Sequence, residues 1–150
     1  MKETKQEHLR FLRTYKEAVV GDRLPDAPAS DEADHPTLSA CIRGHLLLFI
    51  VSVHCELCYD ALRELYAFVL ERPHSNVVIL LEGDESAWAT LNEQFAGRAR
   101  VFRKSKAAIL RELGTRGVPW GYAVQADGRI CASLPCSAPE DFEQLAAALG

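Results

Sequence analysis

The sequence has no apolar run long enough to cross a bilayer. Its most hydrophobic window, HLLLFIVSV over 45–53, falls far short of the roughly 20 residues a spanning helix requires. The N-terminus, MKETKQEHLRFLRTYKEAVV, has no continuous apolar stretch and no small-residue cleavage site. It does not read as a secretory leader, so the expected location is the cytoplasm, or outside it if a leader has been removed. Basic charge is not in excess. With 17 Lys and Arg against 21 Asp and Glu, the net charge is −4, which gives no sign of a general nucleic-acid binder. The one local basic run, RARVFRKSK (98–106), reads as solvated surface. No internal repeat and no low-complexity segment is present. An even set of cysteines is also missing. There are five, Cys41, Cys55, Cys58, Cys131 and Cys136, too few and too odd in number for a disulfide-stapled scaffold.

What is present is an ordinary globular composition. The 150 residues are 48% apolar and 25% charged, enough for one domain with a real core. His8, Leu9, Phe11, Leu12, Tyr15, Ala18 and Val19 recur at helical spacing and predict an amphipathic helix within 1–20. It packs on its own domain or forms a homodimer. Residues 21–44 are an acidic, Pro-rich loop and lead-in without periodicity. From 45 to 150, buried strands at 45–53 and 76–82 alternate with helices at 56–72 and 83–95. A short strand (99–102), a helix (105–113), a hairpin turning at Asp127-Gly128 and a last helix opened by Ser137 or Ala138, with Pro139 in its first turn, follow. Such an order predicts an α/β fold, with a central mixed sheet covered by helices on both faces.

The stretch SVHCELCYDAL (52–62) carries the chemistry. Cys55 stands where a strand ends and a helix begins, and unpaired N–H groups at a helix start favour the thiolate form of a cysteine. Cys58 lies one turn further, on the apolar stripe, within reach of a disulfide. Cys55 then attacks a disulfide and Cys58 resolves the mixed disulfide. His54, when protonated, helps the thiolate and Glu56 opposes it. Two other readings stay open at this point: a pair of ordinary core cysteines, and half of a four-cysteine zinc site completed by Cys131 and Cys136. Cys41 and Cys131 read as structural, and His8, His35, His45 and His74 as surface or packing residues.

The strand–CELC–helix arrangement, the later Val118-Pro119 and the DGRI entry to the last strand resemble the thioredoxin-like superfamily. GDRLPDAP followed by LSACIRGHLLLFI is similar to the lead-in of its TlpA-like thiol–disulfide oxidoreductases and their peroxiredoxin relatives. The resemblance implies a three-layer thioredoxin-like sandwich with an extra N-terminal helix, and a cis Val118-Pro119 bond facing the dithiol. It also implies that the backbone of Val118 pairs with an extended substrate segment, beside His54, Pro119 and Trp120. The partners implied are a protein disulfide or dithiol and an electron donor or acceptor, with no metal and no organic cofactor. Cys136, in the turn SLPCSAPE, is a candidate third redox thiol. The chain departs from the family at several points. His54 replaces the usual aromatic before the first cysteine, and Glu56-Leu57 replaces Gly-Pro. Phe49 stands where thioredoxin buries a carboxylate, and the threonine that peroxiredoxins place before their reactive cysteine is missing. A thioredoxin-fold interaction module with non-catalytic cysteines is the alternative function.

Overall fold

The computed structural model describes residues 17–150. The helix predicted within 1–20, and the dimer it was expected to mediate, lie outside these residues except at the end. There, residues 17–20 are irregular or turn, not helical. Their backbone groups are committed elsewhere: Ala18 N–H donates to Leu113 O at 3.0 Å, and Val19 N–H donates to the Asp22 carboxylate at 3.1 Å.

Strand β1 (His45–Ser52) is the centre of a five-stranded sheet. Seven of its eight residues are buried, which is why the sequence shows a continuous apolar run instead of alternation. β2 (Val77–Glu82) and β3 (Arg100–Arg103) add on one side in parallel. β4 (Trp120–Gln125) and β5 (Ile130–Pro135) add antiparallel on the other, giving the order β3-β2-β1-β4-β5. Helix α1 (Glu56–Glu71) joins β1 to β2, and α2 (Glu85–Gln94) joins β2 to β3. α3 (Lys106–Leu113) follows β3, and α4 (Pro139–Ala148) ends the chain. Side chains cap the starts of α2 and α3: Asp84 accepts from Ala87 N–H and Ser105 from Ala108 N–H, each satisfying an otherwise unpaired donor. Gly114 ends α3 at φ +71°, a left-handed conformation glycine reaches without strain.

The sheet's two faces are covered differently. On one, Leu47, Phe49, Val51, Ile79 and Leu81 pack with Leu65, Phe68 and Val69 of α1, Leu91 of α2, and Phe142 and Leu145 of α4. On the other, Leu46, Leu48, Ile50, Val78, Leu80 and Tyr122 meet Ile109 and Leu113 of α3, together with Leu24, Ala27, Ala29, Leu38 and Cys41 of the lead-in. That aperiodic segment runs along β5, where Gly21 N–H donates to Ile130 O and Ile130 N–H to Asp22 O, both at 2.9 Å.

The basic run 98–106 is not simply solvated surface. Strand alternation places Arg100, Phe102 and Lys104 toward the lead-in. Arg100 donates to Cys41 O at 3.0 Å. Lys104 is 2% exposed, donates to Pro28 O at 2.6 Å and pairs with Glu112 and with Asp31. A lysine is buried this deeply only when paired, so the run clamps the lead-in to the sheet.

Candidate active site at the end of the central strand

β1 ends at Ser52, and Cys55 is the residue that caps α1, with extended backbone at φ −125°, ψ 112°. Its sulfur accepts Cys58 N–H at 3.2 Å, so a donor from the first turn of the helix points at the half-buried Cys55 Sγ. Cys58 sits one turn in, 1% exposed, in the core. Both thiols are free. The Cys58 thiol is pushed up to about 12, chiefly by burial and next by its hydrogen bond with Cys55. Ser52 N–H, donating to Cys58 Sγ at 3.5 Å, opposes the rise, and the negative charge of Glu82 adds to it.

Ser52 and Glu82 were not singled out from the sequence. They are register partners at the ends of β1 and β2. The Ser52 hydroxyl donates to Glu82 Oε1 at 3.3 Å and accepts His54 N–H at 3.1 Å, which fixes the turn leading to Cys55. The signal for them was positional: in open α/β sheets, ligands meet the carboxyl ends of the strands.

Across from the dithiol, the Val118-Pro119 peptide bond is cis. Val118 is 40% exposed, and its carbonyl oxygen lies 3.8 Å from Cys55 Sγ. Among the described residues neither its N–H nor its carbonyl has a backbone hydrogen-bond partner. Pro119 is buried, and its carbonyl accepts Cys136 N–H at 3.2 Å. A cleft of about 230 Å³ opens at Cys55, His54 and Val118. Its floor is Ile50, Ile109 and Leu110, and Val51, Ser52, Glu82, Lys106, Thr115 and Arg116 complete the wall.

Cys55, Cys58, His54, Val118 and Pro119 therefore meet at one edge. Trp120 begins β4 beside Ile50, and its indole N–H donates to Ser133 Oγ at 3.0 Å; it packs half-buried on the lead-in face and does not line the cleft at Cys55. Cys136 was expected at the substrate surface. It is 1% exposed, in the core, and burial pushes its thiol up to about 12. The turn that carries it folds inward because α4 lays Phe142 and Leu145 over it. A four-cysteine zinc site is not assembled either. Cys131 Sγ donates to Ala123 O at 3.4 Å within the hairpin, and among the described residues no three His, Cys, Asp or Glu side chains cluster as ligands.

No protein-family model matches the chain, and no curated protein matches it. Solved structures do. A candidate thiol:disulfide interchange protein DsbE from Chlorobium tepidum superposes with a TM-score of 0.72 at 19% identity, covering 89% of this chain and 100% of that one. The thioredoxin domain of a thiol-disulfide oxidoreductase from Bacteroides vulgatus gives 0.67 at 13%, covering 89% and 100%. The chain has a thioredoxin-like fold. Peroxidoxin BcpB from Mycobacterium tuberculosis shares the thioredoxin-like fold too, with a TM-score of 0.66 at 15% identity over 89% of this chain and 97% of that one. Neighbours of differently named chemistry share one thioredoxin-like scaffold, so function has to be argued from the site. Among the described residues, no helix is long and apolar enough to cross a membrane.

Proposed function

We propose that the protein is a thiol–disulfide oxidoreductase acting on protein dithiols and disulfides. One observation carries the reading. A half-buried sulfur, aimed at by a helix N–H, faces an open backbone segment at Val118, with a second sulfur buried directly behind it. In the reductive direction, the Cys55 thiolate attacks a substrate disulfide. A Cys55–substrate disulfide forms and one substrate thiolate leaves. Cys58 then loses its proton and attacks Cys55 Sγ, closing the Cys55–Cys58 disulfide and releasing the second substrate thiolate. The protein is oxidised by two electrons, the substrate is reduced by two, and a donor dithiol restores the protein. Val118 holds the substrate in extended form by backbone pairing.

Reduction of insulin disulfides tests this. Wild type turns over and Cys55→Ser does not, whereas Cys58→Ser accumulates the mixed disulfide. Absent turnover, or turnover unchanged in Cys55→Ser, overturns the reading in favour of an interaction module. The reduction potential assigns direction: near about −270 mV the protein is a reductant, near about −120 mV an oxidant.

A further inference from the structure

We infer that the cleft beside Cys55 is a subsite for an acidic side chain of the protein substrate, next to its reacting cysteine. The inference rests on the oxidoreductase reading above and names the kind of substrate it fits.

Charge around the catalytic edge is unevenly spent. Arg103 is paired with Glu32, and Lys104 with Asp31 and Glu112. Lys106 and Arg116, both exposed and both lining the cleft, have no ion-pair partner among the described residues. The floor between them is apolar, with Ile50 at 1% and Ile109 at 4% exposure. An apolar floor under a cationic rim complements a glutamate, whose methylenes cover the floor while its carboxylate meets the cations. The position fits the chemistry. Arg116 precedes Val118 by two residues, so a substrate strand pairing with the Val118 backbone brings a residue flanking its cysteine to this rim. Glu82 stands at the cleft's inner wall, held by the Ser52 hydroxyl. It repels a carboxylate that enters past the rim, so the subsite reads where the charge lies as well as its sign. Exposed charges at such sites act on encounter and register more than on raw affinity, and salt screens them.

The test uses the full, reduced chain and peptides bearing one cysteine as a mixed disulfide with mercaptoethanol. The peptides differ only in Glu, Gln or Lys beside that cysteine. Each rate constant is divided by the rate of the same peptide with dithiothreitol, which removes the neighbour's effect on the disulfide itself. The expected result is Glu over Gln over Lys, with Glu ahead of Lys by about tenfold at low salt and the gap closing at high salt. The Lys106→Glu/Arg116→Glu double variant inverts the order. The ratio is internal to each variant, so a general loss of activity does not imitate the effect. Equal rates in wild type, or a ratio untouched by the charge reversal, overturn the subsite while leaving the oxidoreductase reading intact. If none of the peptides nor hydroxyethyl disulfide reacts with Cys55, the oxidoreductase reading fails and the subsite with it.

Discussion

The two faces of the sheet are closed by different means. Under α1, α2 and α4 the closure is apolar volume: Phe142 stands 5.5 Å from Phe49 and 5.9 Å from Phe68, ring centre to ring centre. On the opposite face one short helix shares the work with an aperiodic segment fastened by polar ties, Lys104 to Pro28 O and Arg100 and Asn76 to Cys41 O. The candidate cleft at Cys55 opens on this second face, between β1 and α3. Where helices of regular period are available, apolar packing does most of the closing, with the Trp88 indole on Val101 O and the Arg72–Glu143 pair beside it. Where they are not, specific hydrogen bonds and buried charge take over, and the surface keeps room for a ligand.

Phe142→Ala should break the first face most severely. The lost packing and the cavity left behind predict a loss of about 3–5 kcal/mol in denaturant unfolding; a loss under about 1 kcal/mol would refute apolar closure. Lys104→Met attacks the second face. It leaves Glu112, Asp31 and Pro28 O without their cation, and breaking a buried pair whose acids are part-exposed predicts a loss of about 3 kcal/mol, the low end for such pairs. A change within about 0.5 kcal/mol, as at ordinary surface positions, would return the basic run to solvated surface.

Alkaline pH separates the faces through their thiols. An unfolded thiol ionises near 9.0, whereas folded Cys58 and Cys136 are held up to about 12. Between these values the unfolded chain binds fewer protons than the folded one, so stability falls as pH rises, by about 1.4 kcal/mol per pH unit for each such thiol. Cys136→Ala should flatten that slope in unfolding measured across the interval, and an unchanged slope would show that its burial does not govern its ionisation. Cys41, on the lead-in face, is also raised by burial, with Arg100 and Arg43 lowering it in part. Cys41→Ala should therefore flatten the slope less. The smallest effect belongs to Glu82→Gln. Removing a negative charge near Cys58 lowers the pH at which that thiol ionises, which ultraviolet titration reads as the difference between Cys55→Ser and Cys55→Ser/Cys58→Ser backgrounds. A rise, or no shift, would sever Glu82 from the dithiol.

Much of this was legible in the sequence. The strands and helices from 45 onward were readable because the periods are clean: an unbroken apolar run in β1, a helical stripe through Cys58, Leu65 and Val69, and Asp127-Gly128 at the hairpin. The dithiol was readable because Cys55 and Cys58 straddle a strand-to-helix boundary. What stayed hidden depends on contacts between distant segments. Lys104 looks like any surface lysine until Pro28 and Glu112 are brought to it. Ser52 and Glu82 become neighbours only through the register of β1 and β2. Lys106 and Arg116 acquire meaning only when α3 folds back beside Cys55. Cys136 was misplaced because a turn is normally surface, and nothing local shows that α4 will cover this one. Residues 17–20 continue a helical pattern, yet their N–H groups are taken by Leu113 and Asp22.

The stretch of lead-in beside β5 has a consequence for solubility. An open sheet ends in two rows of bare amides and carbonyls that invite another chain to zip on. Here β3 is only four residues long with an arginine at each end, and the far margin is partly sheathed by Gly21, Asp22 and Leu24. A protease cutting between residues 24 and 36 would loosen that sheath while sparing the dithiol, and the nicked protein should then self-associate edge to edge.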